Sequence, residues 1–68
     1  MTFNHHQFVE DVYMHRMKQG LSRRHAADLI GINPYKMQIV EEGKYMVKAD
    51  VLFLICDWMG KDLNYYRL

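Results

Sequence analysis

Leu21–Lys44, LSRRHAADLIGINPYKMQIVEEGK, is the stretch from which the rest of the chain is read. Ser22 is placed to cap a helix, its hydroxyl accepting the orphan N–H of Arg24 or His25. Ala26, Ala27 and Ile30 then fall at i, i+1 and i+4, one apolar stripe of a helix of about Arg23–Ile30. Gly31 follows the last apolar residue, where a chain leaving a helix often turns through positive φ. Asn33-Pro34 restarts a helix at once: Asn33 is a good N-cap, and Pro34 at the first helical position lacks only an N–H that has no partner there anyway. Met37 and Val40 continue a core stripe across a second helix of about Pro34–Glu42, and Gly43 supplies its stop.

Helix, short glycine turn, helix is the outline of a helix-turn-helix unit. Other helical hairpins share that outline, so spacing has to decide. Counted from Arg23 as the first position, Ala27 is fifth, Gly31 ninth, Ile32 tenth, Met37 fifteenth and Val40 eighteenth. A small residue at the fifth position lets the second helix cross close above the first. Glycine at the ninth permits the turn. Apolar residues at the tenth, fifteenth and eighteenth seat the second helix in the core.

Ser22-Arg23-Arg24, Ala27, Gly31-Ile32-Asn33-Pro34 and Glu41-Glu42-Gly43-Lys44 resemble the Cro/repressor (Xre-type) helix-turn-helix family of phage and bacterial transcriptional regulators. The resemblance runs from about Phe8 to Tyr66 and is most specific over Leu21–Lys44. It implies an all-α fold: a compact four- to five-helix bundle, a lambda-repressor-like DNA-binding domain with the helix-turn-helix at helices two and three. It also implies an ion pair. Relatives carry an Arg four residues before the first-helix glycine and a Glu near the end of the recognition helix. Arg16 and Glu41 stand there, predicting a partly buried pair that ties the first helix to the third.

Outward from this stretch, Asn4 is placed to cap a first helix running to about Gln19, with Phe8, Val9, Val12, Tyr13 and Met17 on its apolar face and Gly20 as its stop. A fourth helix of about Lys48–Met59 carries Leu52, Ile55, Cys56 and Met59 at i, i+3, i+4 and i+7. Gly60 ends it, and Asp62 is placed to cap a last short helix over Leu63–Tyr66. The fourth helix has a second apolar stripe, Val51, Leu54 and Trp58, and the tail adds Tyr65, Tyr66 and Leu68. Apolar surface beyond the needs of one core marks a partner face, and these six residues are the candidate homodimer interface. The alternative is that they close the core against the first helix.

With 68 residues, half of them hydrophobic and a quarter charged, the expectation is one small globular helix-turn-helix DNA-binding domain spanning residues 1–68, with no room for a second, effector-sensing domain. Cys56 is the single cysteine, so no internal disulfide forms. No apolar run reaches the roughly 20 residues that span a bilayer, and MTFNHHQF lacks a basic-then-apolar signal pattern. A cytoplasmic protein with no membrane partner is expected.

Net charge is +1, a weak basic balance for a nucleic-acid binder. Placement therefore carries the case. By family position, Asn33, Pro34, Tyr35 and Ile39 stand where base contacts are made, with Gln38 beside them. Gln bonds base edges, and an apolar side chain such as Ile39 packs on a thymine methyl. Pro34 and Ile39 replace residues that in many relatives are polar, which shifts weight from hydrogen-bond readout toward shape and methyl contacts. Packing beneath the Tyr45 loop is the alternative for Ile39. Arg23, Arg24, Lys36, Lys44 and Lys48 are the phosphate-contact candidates, which fix register without reading sequence. Ordinary solvated cations are the alternative, more so for Arg24 and Lys48.

No enzyme is expected. His5 and His6 are adjacent and point apart on a helix, while His15 and His25 have no Cys or His one turn on, so no metal site is predicted. Cys56 lies on a core stripe as packing. No nucleophile triad, carboxylate pair or phosphate loop is visible, and neither a cofactor nor a small-molecule ligand is expected. The sequence reading is a sequence-specific double-stranded-DNA-binding regulator, a Cro-type repressor acting as a homodimer on a palindromic operator. Its rival is a protein-interaction module on the same fold, such as an antitoxin, an anti-repressor or an inhibitor of another regulator.

Overall fold

The computed structural model of the chain describes residues 3–68. Four α-helices form over them: α1 (His5–Lys18), α2 (Arg23–Ile30), α3 (Pro34–Glu42) and α4 (Ala49–Met59). The segment Leu63–Tyr66 is a single 3-10 turn, so the bundle has four α-helices and not five. Four residues cannot complete an α-helical turn with its own ladder. Here Asp62 caps the segment instead, its carboxylate accepting the Asn64 N–H at 2.8 Å.

Caps set the helix boundaries. Asn4 accepts the Gln7 N–H, Ser22 the His25 N–H and Asn33 the Tyr35 N–H. Between α2 and α3 the chain turns at Gly31, φ 92°, in the left-handed region where a Cβ is strained. α4 begins at Ala49, one residue later than its sequence pattern suggests, because the Lys48 backbone is extended and serves as the N-cap, without a side-chain bond.

Inward-facing residues of all four helices meet in one core. Phe8 and Val12 come from α1, Ala26, Ala27 and Ile30 from α2, Met37 and Val40 from α3, and Val51, Leu52, Ile55, Cys56 and Met59 from α4. Ala26 and Ala27 are fully buried, which is why α2 and α3 approach closely. Tyr13 and Met17, assigned to the apolar face of the first helix, are instead about half exposed. The stripe of α1 that reaches the core is narrower, and Arg16 occupies its C-terminal end.

Two residues assigned to a dimer face belong to the core. Val51 is 4% exposed and Tyr66 1%. The Tyr66 ring sits edge-on to Phe8 at 5.3 Å and tilted to Phe3 at 5.9 Å, and its hydroxyl donates to Asp11 Oδ2 at 2.8 Å. Asn4 N–H donates to Tyr66 O, and Phe3 bridges Arg67 antiparallel. The tail thus closes the bundle over α1, and neither residue projects from the surface as a dimer face would need. Trp58 is half-buried, its ring perpendicular to His15 at 4.5 Å. Leu54, Tyr65 and Leu68 remain exposed, as does Phe53, which the sequence reading had not singled out. Among the described residues no helix is long and apolar enough to cross a membrane.

Candidate nucleic-acid interface

α3 is held from behind. Met37 and Val40 are buried beneath it, so Tyr35, Lys36, Gln38 and Glu42 face solvent. Asn33 and Pro34, just ahead of them, are exposed too. The first turn of α3 is therefore a polar-aromatic edge on a rigid support. Part of its hydrogen-bonding capacity is already used. The Asn33 carbonyl oxygen accepts the Tyr35 N–H at 2.8 Å, leaving its amide NH2 as the free donor group. The Gln38 amide donates to Glu42 Oε2 one turn on, at 3.2 Å.

Behind this edge lies a cluster of charge. Arg16 grips Glu41 with both arms of its guanidinium: Nε donates to Oε2 at 2.7 Å and Nη2 to Oε1 at 3.0 Å. A further arm, Nη1, donates to Leu21 O at 2.8 Å, joining the loop before α2 to the same point. Arg23 Nε donates to Glu41 Oε1 at 3.0 Å. The Glu41 side chain is 1% exposed and the Arg16 side chain 11%, whereas that of Arg23 is 46% exposed. Hydrogen bonding to Glu41 raises the Arg16 pKa above its ordinary value, against the opposing effect of burial. The expected Arg16–Glu41 pair is present. The sequence reading missed the third member: Arg23 stands at the start of α2 and shares the same carboxylate. The signal was available, since a buried carboxylate has about four acceptor positions and one arginine fills only part of them.

The arrangement does two things. It locks α1, α2 and α3 together through one carboxylate. It also removes Glu41 as a free negative charge, because two guanidiniums surround it. The Nη groups of Arg23 make no hydrogen bond within the described residues, and its stem is held in place by Glu41. Arg24, Lys36, Lys44 and Lys48 are all exposed, and no carboxylate ion-pairs with them among the described residues.

Ile39 is half-buried and lines a groove beneath the loop that carries Tyr45, Met46 and Val47. The alternative of packing under that loop describes its surroundings. His5, at the start of α1, donates from Nε2 to Gly43 O at 3.2 Å, tying the end of α3 to the first helix. Nothing in the local sequence pointed to this contact, which joins residues 38 apart. Among the described residues no three His, Cys, Asp or Glu side chains gather closely enough to hold a metal ion. Burial raises the Cys56 thiol pKa, away from the reactive thiolate. No family model, curated protein or solved structure matches the chain.

Proposed function

We propose that the chain is a sequence-specific, double-stranded-DNA-binding transcriptional regulator of the Cro/repressor type. In this reading α2–Gly31–α3 is a helix-turn-helix in a lambda-repressor-like domain, and the N-terminal turn of α3 enters the major groove. The observation that carries the reading is the pairing of an exposed α3 edge with a neutralised Glu41. Asn33, Tyr35 and Gln38 stand outward, while the carboxylate that would oppose phosphate is enclosed by Arg16 and Arg23.

The roles divide as follows. Gln38 leaves Glu42 to reach a base edge, the Asn33 NH2 donates nearby, and Tyr35 packs on a sugar or reaches a phosphate. Pro34 keeps the backbone close to the groove wall without adding a donor. Ile39, half-buried, offers its exposed part as an apolar contact to a thymine methyl. Arg23, held by Glu41, presents its free Nη groups to a phosphate, with Arg24, Lys36, Lys44 and Lys48 as further backbone contacts. Repression follows by occlusion of a promoter. A homodimer places two α3 helices on half-sites about one helical turn apart, and with Val51 and Tyr66 spent in the core its apolar contact draws on Leu54, Trp58, Tyr65 and Leu68.

Selection from a random duplex library at two salt concentrations tests this. Enrichment of a near-palindromic site, with affinity falling steeply as salt rises through counterion release, is the expected result. Retention that ignores sequence, or none, removes the regulator reading.

A further inference from the structure

Beside the outer edge of α3 lies an open groove of about 290 Å³. Its floor is Ile39, Val47 and Val51, and its lip is Tyr45 and Met46, which are 68% and 53% exposed. The remaining lining residues are Lys36 and Lys48, and among the described residues no carboxylate contributes to the wall. The lysines suit a phosphate. The floor does not, because a sugar–phosphate chain gains nothing from an aliphatic slot. Space for one or two large side chains, open on one side, is at the lower limit for a small-molecule pocket. It matches instead the anchor site of an amphipathic segment laid in a groove. Exposed Tyr and Met are residue types enriched where proteins meet proteins, and Met adapts to varied partners.

We propose that this groove docks an acidic amphipathic segment of a protein partner. One or two apolar anchors of that segment sit over Ile39, Val47 and Val51, and its carboxylates pair with Lys36 and Lys48. Charge complementarity selects the partner: a groove walled by two lysines, with no carboxylate among the described lining residues, attracts acidic segments and repels basic ones. Because Lys36 and Lys48 are also phosphate-contact candidates, the docked segment and DNA exclude one another. The exclusion rests on the DNA-binding reading, whereas the docking does not.

The test is a phage-displayed library of random short peptides panned on the full chain without DNA. Enriched peptides should combine Asp or Glu with apolar residues at i and i+3 or i+4. The strongest is synthesised and titrated against the wild type, against Tyr45→Ser/Met46→Ser and against Lys36→Gln/Lys48→Gln. All four substitutions are at exposed positions, and circular dichroism with thermal unfolding verifies the fold of each variant. The apolar double substitution should weaken peptide binding by about tenfold or more, the effect of removing interface anchors. It should leave binding to the selected duplex within about twofold, as befits residues away from the phosphates. The lysine double substitution should weaken both. Failure to enrich peptides, enrichment of basic or uncharged ones, or binding indifferent to the Tyr45 and Met46 changes would overturn the proposal. If those changes instead weaken the duplex and spare the peptide, the groove is a DNA surface. If the chain binds no duplex at all, the peptide titrations still decide the docking.

Discussion

Two of the polar contacts that α1 carries into the fold are built on different principles. Arg16, in its last turn, meets Glu41 of α3 inside a three-residue charge cluster. Asp11, near its middle, receives the hydroxyl of Tyr66 from the tail. In the first, every partner is ionised and the carboxylate is sealed from water. In the second, the donor is neutral and Asp11 is only partly buried, also accepting from Gln7 Nε2 at 2.7 Å. What a polar contact contributes is decided by what is left when it is broken. An abandoned guanidinium inside the bundle is a far worse remainder than a carboxylate that can turn to water.

Glu41→Ala probes the difference most severely. Arg16 would keep the Leu21 O hydrogen bond and the Tyr13 ring 5.5 Å away, with no carboxylate to compensate its charge. Breaking one side of a buried pair costs about 3–5 kcal/mol, and a small domain holds little more than about 5 kcal/mol in total. Equilibrium urea unfolding should therefore show the variant largely unfolded, or its transition shifted by that amount. A loss below about 1 kcal/mol would place the cluster among surface ion pairs and break the comparison.

Tyr66→Phe keeps the ring against Phe3 and Phe8 and removes only the hydroxyl. A loss of about 1–2 kcal/mol is expected for one hydrogen bond to a carboxylate with a solvent route. Its pH dependence sharpens the contrast. Burial, then the bond to Asp11, raises the Tyr66 phenol pKa well above its ordinary value near 10. Above about pH 10 the unfolded chain releases this proton while the folded chain retains it. The folded state then binds more protons, so stability falls as pH rises. Below that pH the contribution is fully present. Wild type minus Tyr66→Phe, followed by urea midpoints from pH 7 to 11, should narrow only at the alkaline end.

The sequence showed one of these contacts and hid the other, for a physical reason. Arg16–Glu41 was legible because the resemblance implies an Arg four residues before Gly20 paired with a Glu near the end of the third helix. The boundaries of α2 and α3 were legible for a local reason: Ser22, Gly31, Asn33 and Pro34 each act within a few residues of themselves. Tyr66–Asp11 spans 55 positions, and no local rule brings the tail back over α1. An aromatic residue near the chain end looks like surface until Phe3 and Phe8 are seen to need a lid. Val51 was misplaced similarly: it follows a legitimate helical stripe, but the α3–α4 loop covers that side of α4. The exposed edge of α3 was also legible, as was the Asn33 cap that accepts the Tyr35 N–H, yet the Gln38–Glu42 bond was not, because it depends on rotamers.

Asn33→Ala calibrates a smaller scale. The cap at Asn33 is exposed and neutral, with water ready to replace the lost acceptor. A destabilisation of about 1 kcal/mol is expected in urea. A larger loss would mean that α2–α3 depends on its turn as much as on the charge cluster behind it.

Glu42→Ala addresses the neighbouring carboxylate, which has none of Glu41's protection. Glu42 lies at the same negative end of α3, exposed, with the neutral Gln38 amide as its hydrogen-bond partner. A carboxylate there opposes the helix dipole, so its removal should leave stability unchanged or raise it by about 0.3 kcal/mol. The larger consequence is for binding. Gln38 is released from its intrahelical bond, and a negative charge is taken from the edge proposed to face phosphate. Under the DNA-binding reading, affinity for the selected duplex should rise by about two- to fivefold at low salt, an electrostatic gain of about 0.4–1 kcal/mol. The gain should shrink as salt is added, because the charge is solvent-exposed. A fall in affinity would instead assign Glu42 a direct role at a base donor, such as the cytosine amino group. Two adjacent glutamates would then differ by function as well as by burial.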